Sequence, residues 1–134
     1  MIASHQRGDG MKLAFDIFRI AYGAWFLFWG LAPFIGVAPP ETSQPDAVAL
    51  LEANRAAFPM KLASASFIAG GAALIWKRTA PLGVVILAPT VAWIFLFHVT
   101  MTADYPWAAF WLAGLAVLAL RMRKAYRPLY TWKG

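Results

Sequence analysis

The sequence predicts an all-α membrane protein: a bundle of four transmembrane helices, with a short amphipathic helix in the outer loop between the first and second. Three observations predict it. Hydrophobic residues make up 61% of the 134 and charged residues 13%, against about 45–50% and about 25% in ordinary globular domains. The charges are also clustered, with none from Thr79 to Ala103 and none from Tyr105 to Leu120. Finally, the basic residues behind the formal net charge of +6 flank the apolar runs on one side, provided the chain crosses four times.

A crossing needs about 20 apolar residues at a rise of about 1.5 Å each. The first span runs from about Leu13 to Val37, with Asp16 and Arg19 in its opening turns. The apolar run lacks an A-x-A-like cleavage site, continuing Gly30-Leu31-Ala32-Pro33-Phe34-Ile35, so it reads as a retained helix. The second span, about Met60 to Trp76, opens with Lys61, whose stem can snorkel outward. The third covers about Pro81 to Ala103 and contains Pro89, which removes a backbone bond and is expected to bend the helix. The fourth is about Tyr105 to Leu120. Trp76, Tyr105, Trp107 and Tyr126 mark span ends, as in interfacial aromatic belts.

Orientation follows from the short flanking loops. Arg7 and Lys12 precede the first span, Lys77 and Arg78 fill the turn after the second, and Arg121, Arg123, Lys124, Arg127 and Lys133 follow the fourth. The opposite side holds Glu41, Asp46, Glu52 and Asp104, relieved by Arg55 and Lys61. Both termini are therefore expected in the cytoplasm of a cell (inner) membrane protein, with residues 121–134 a basic cytoplasmic tail. Basic side chains beside apolar spans imply membrane lipids as partners and argue against nucleic acid. In the outer loop, 38–58, Ser43-x-x-Asp46 resembles a capping box. Ala47, Leu50, Leu51, Asn54 and Phe58 then share one face of a helix that would lie in the interface or lid the bundle.

Two intramembrane side chains are candidates for chemistry. Arg19 is a costly charge about two turns into the first span, and Asp16, three residues earlier, is a structural partner for it. His98 is the histidine within a span, near its outer end, where a neutral imidazole can donate, accept or exchange a proton. Thr102 lies at i+4, and the antiparallel second span should bring Lys61, Ser64 and Ser66 to comparable depth, forming an outer polar patch. The structural alternative is a histidine that bonds a neighbouring helix for packing. Tyr22, Phe26 and Trp29 share a face that could line a flat-ligand pocket or simply pack. Gly23 with Gly30, and Ser66 with Gly70, suit close helix packing.

Other chemistry is excluded by composition. Without cysteine there is no disulfide, thiolate metal site or thiol redox step. A bis-histidine haem within the chain would need a second intramembrane histidine, and His5 sits in the N-terminal tail. No metal site and no paired carboxylates are expected at membrane depth.

The order of short motifs resembles the DoxX-like family of small four-helix membrane proteins, over nearly the whole chain from the first span onward. These motifs are Arg19-x3-Gly23-x2-Phe26-x3-Gly30, the Gly70-Gly71 step with its basic turn into Pro81-Leu82, Leu87-Ala88-Pro89, and Phe97-His98. Family relatives include a membrane subunit of thiosulfate:quinone oxidoreductase. The resemblance therefore implies an accessory subunit of a membrane redox system that binds an apolar ligand such as a quinone. The glutamate that members often carry about one turn before the helix-2 glycine is replaced here by Ser64-Ala65-Ser66-Phe67. A structural subunit of a larger membrane complex or a homo-oligomer is the second expectation. A small transporter is the third, though one Arg and one His offer little hydrophilic pathway.

Overall fold

The computed structural model of the chain describes residues 2–38, 41–56 and 58–130. Every regular element among the described residues is helical. The polar N-terminal segment is already helical, so α1 spans Ile2–Leu31 and starts well before the expected Leu13. No proline interrupts it, and the exposed Lys12–Asp9 pair at 3.1 Å lies one turn apart on its surface. Pro33 ends the α-helical geometry, because the residue before a proline is driven out of it. The chain tightens into a 3₁₀ turn at Ala32–Phe34. Gly36 then takes φ 75°, and the Val37 amide donates back to the Ala32 carbonyl at 3.0 Å. This six-to-one bond around a left-handed glycine is a Schellman closure.

Helix α2 spans Pro45–Ala56, and its start corrects the capping-box expectation. Proline favours the first helical position, and the Val48 amide donates to the Gln44 carbonyl at 3.0 Å. Gln44 is therefore the cap and Ser43 lies outside the helix. Ala47, Leu50, Leu51 and Asn54 do turn their face inward, while Phe58, assigned to the same face, is 71% exposed. Helix α2 packs on the start of the next helix and on the turn after α4. Helix α3 is Phe58–Ile75 and α4 is Ala80–Phe97, continuous through Pro89. The third span then widens into a π turn, His98–Thr102, closed by Ala103 at φ 56°. Asp104 caps α5, Tyr105–Arg121, by accepting from the Trp107 amide at 3.3 Å. A 3₁₀ turn, Arg123–Tyr126, and α6, Arg127–Tyr130, follow. Lys133 of the expected basic tail lies outside the described residues.

The helices pack in chain order, α1 on α3, α3 on α4 and α4 on α5. Two glycine contacts set the first two interfaces. A Cβ on Gly71 would fall 2.6 Å from both the Gly23 carbonyl oxygen and the Leu27 nitrogen. One on Gly83 would fall 2.7 Å from the Gly70 oxygen. Such direct backbone contact is how helices gain packing in a solvent as apolar as their own side chains. Large aromatics instead bridge α5 to α1. Trp111 stacks on Trp25 with centroids 5.2 Å apart and meets Tyr22 and Phe26 at 5.5 and 5.2 Å. Phe26, Leu74, Leu87, Val91 and Leu118 form the innermost core.

The outside is equally apolar. Ile17, Phe28, Leu62, Leu82, Trp93, Phe110 and Leu120 are all exposed, a distribution that water-soluble monomers avoid. Among the described residues, three helices are long and apolar enough to cross a membrane: Asp9–Phe34, Phe58–Ile75 and Ala80–Thr102. Tyr105–Arg121 is apolar and shorter.

Candidate functional site

Arg19 is 4% exposed, and its setting is built by the end of a helix. The last carbonyls of α3 have no intrahelical partner. Thr79 takes one of them, its hydroxyl donating to Ala73 at 2.9 Å. Arg19 takes the next two, one guanidinium nitrogen donating to Leu74 and, at 2.7 Å, to Ile75. A cation there also meets the negative end of the helix dipole. The Arg19 Nε–H donates to Asp16 at 3.4 Å, and Lys77 stands 3.8 Å from the other Asp16 oxygen. The buried guanidinium is thus a clamp between α1 and α3, with the i−3 carboxylate that the sequence indicated as its secondary partner.

Next to this clamp opens a cavity of about 330 Å³, lined by Lys12, Phe15, Asp16, Arg19, Lys77, Ala80, Pro81, Arg121, Met122, Lys124 and Ala125. Its cations come from α1, the α3–α4 turn and the end of α5, the three segments whose basic clusters the sequence assigned to one face. Arg121 sits over the Phe15 ring, 5.5 Å from the centroid. Among the described residues, neither Arg121 nor Lys124 pairs with a carboxylate. Tyr126 anchors the adjoining segment, its hydroxyl donating to Pro81 at 3.0 Å. Burial pushes that phenol above its ordinary range. A second hollow, lined by Val117, Leu120, Arg121, Arg123 and Lys124, adjoins the first through the shared Arg121 and Lys124. Sequence reasoning used these cations for orientation and for lipid contact in general; the signal it passed over was that three separate clusters would line one cavity.

The outer polar patch forms only in part. The His98 Nδ1–H donates to its own helix at Ile94, 2.9 Å away. In the neutral ring that leaves Nε2 as an acceptor. The His98 carbonyl, which accepts the Ala103 amide that closes the π turn, also accepts from Thr102 Oγ1 and the Asp104 amide, both at 3.2 Å. Lys61, Ser64 and Ser66, on α3, make no hydrogen bond to His98 or Thr102. Ser64 is buried, Ser66 half-buried and Lys61 exposed. Trp29 packs edge-on against Trp25 and Phe28, and Tyr22 and Phe26 are core residues. Neither of the two cavities touches His98, Thr102 or Trp29. Among the described residues no cluster of three or more metal-ligating side chains occurs.

Comparison with protein-family models, with curated proteins and with solved structures finds no match to this chain.

Proposed function

We propose that the chain is a DoxX-like, four-span protein of the cell (inner) membrane with both termini in the cytoplasm, serving as an accessory subunit of a membrane redox system. The convergence of Lys12, Lys77, Arg121 and Lys124 at one end of the bundle carries the topology, since positive loops stay on the cytoplasmic side. Helix α5, with 17 residues, covers about 25 Å at 1.5 Å per residue. Arg121 extends that reach by snorkelling. In this role His98 is the ligand-facing residue, because Nε2 can accept the hydroxyl proton of a reduced quinone. A second reading, a structural subunit or homo-oligomer, draws support from Ala109, Ala113 and Ala116. They form a small-residue stripe on the exposed side of α5.

Two experiments test these claims. The chain has no cysteine, so single cysteines report topology on a clean background. Ser43→Cys should react with a membrane-impermeant maleimide in intact cells, and Lys77→Cys only after permeabilisation; the reverse pattern defeats the orientation. Protein purified in mild detergent should carry quinone that His98→Ala loses. Unchanged quinone content in that variant removes His98 from the site, and a stoichiometric protein partner without quinone favours the second reading.

A further inference from the structure

We infer that the basic cavity binds the phosphate of an anionic phospholipid from the cytoplasmic leaflet, with one acyl chain lying along α5. This deepens the membrane reading and rests on it. Lys12, Arg19, Lys77, Arg121 and Lys124 stand there against a single lining carboxylate, Asp16, which leaves an excess of positive charge at the edge of the proposed apolar medium.

The side chains divide by what they already do. Arg19 is committed to the α3 carbonyls, and Asp16 to Arg19 and Lys77. Among the described residues Lys12 pairs with Asp9 alone, in a bond whose members are 73% and 61% exposed, which holds it weakly. Arg121 and Lys124 have no carboxylate partner among the described residues. The Phe15 ring supports the Arg121 guanidinium from one face, leaving its edge donors for a bidentate bond to phosphate oxygens. Phe15, Ala80, Pro81 and Met122 supply apolar wall for the glycerol region.

The second hollow separates a lipid from a soluble phosphate. It shares Arg121 and Lys124 with the first, adds Arg123, and continues onto Val117 and Leu120, which are 49% and 68% exposed. A headgroup in the first cavity would thus place its chain on an apolar track that a free phosphate has no use for.

The test compares phosphatidylglycerol with glycerol 3-phosphate on the full chain in phosphatidylcholine nanodiscs, by native mass spectrometry and titration. Phosphatidylglycerol should bind to saturation and glycerol 3-phosphate should not compete at equal concentration. Arg121→Gln and Lys124→Gln should each weaken the lipid about tenfold, the loss of one charge-assisted contact. Arg78→Gln, the same charge change outside the cavity, should leave binding unchanged. Equal losses in all three variants reduce the effect to surface charge and overturn the site. So does wild-type affinity in Arg121→Gln, and equal competition by glycerol 3-phosphate overturns the lipid. Nanodiscs expose both leaflets, so these outcomes do not depend on orientation, which the maleimide experiment decides separately.

Discussion

Arg19 shows how a buried charge in an apolar helix is explained by what lies around it. Its donors meet carbonyls that α3 cannot satisfy itself, at Leu74 and Ile75. Arg19→Met, similar in length, should lower stability by about 3 kcal/mol, the cost of leaving buried acceptors unpaired; SDS or thermal unfolding in detergent reads this. Arg19→Lys should recover part of it, since an ammonium reaches one carbonyl without the planar fork. Asp16 was legible in the sequence as a partner at i−3. The carbonyls were not, because a backbone group 55 residues away leaves no trace in side-chain pattern. The same limit applies to His98. Its nearest bond is to Ile94 in its own helix, while the convergence with Ser64 and Lys61 was inferred from depth alone. Tyr126 supplies a residue-scale pH effect. Burial raises its phenol above the usual 10.0, so folding favours the neutral form. Its contribution is complete below the unfolded value and is lost as pH rises through the folded one. In an alkaline absorbance titration, Tyr126→Phe should remove one of the late-ionising phenols and leave the rest unchanged.

Among the elements, the apolar runs were legible almost to their ends, and the exceptions have local causes. Helix α1 continues into polar sequence because no proline stops it there, and hydropathy marks only where a helix turns apolar. Pro45 sets the start of α2 by its fixed φ, a stronger constraint than the hydroxyl of Ser43. The π turn at His98–Thr102 has no sequence signature that periodicity would detect. The glycine contacts were half visible: Gly23 and Gly70 suggested close packing, but the pairings Gly23–Gly71 and Gly70–Gly83 needed the structure. Gly71→Ala should separate α1 from α3 and cost about 1–3 kcal/mol, since its Cβ would meet backbone atoms on both sides. Gly10→Ala, with nothing within 4 Å of its Cβ, should be neutral or gain about 0.5–1 kcal/mol from helix propensity. If both variants unfold alike in detergent, the α1–α3 contact is not the packing determinant.

At the scale of the whole molecule, the helices differ in reach. Helix α1 has 30 residues, whereas α3 has 18 and α5 has 17, lengths of about 45, 27 and 25 Å. The shorter two set the apolar thickness that the proposed four-span bundle fits. Stability in short-chain phosphatidylcholine should therefore exceed that in long-chain lipid, by fractions of a kcal/mol per Å of mismatch. A thermal series across chain lengths measures it, and a maximum in the thickest bilayer would contradict the assignment of α5 as a span. Charge segregation was the one global property written plainly in the sequence. The cavity it creates was not, because burial of Arg19 and the position of Arg121 over Phe15 depend on how three helix ends meet.

The distance along the chain between Arg19 and its carbonyls has a consequence for biosynthesis. Leu74 and Ile75 follow Arg19 by 55 and 56 residues, so they are made and emerge after it. In the proposed arrangement, the Arg19 guanidinium snorkels toward headgroups and phosphate until the end of α3 supplies its carbonyls. In the proposed four-span arrangement, the end of α3 is then the latch that fixes the depth of Arg19 and joins the first pair of packed helices.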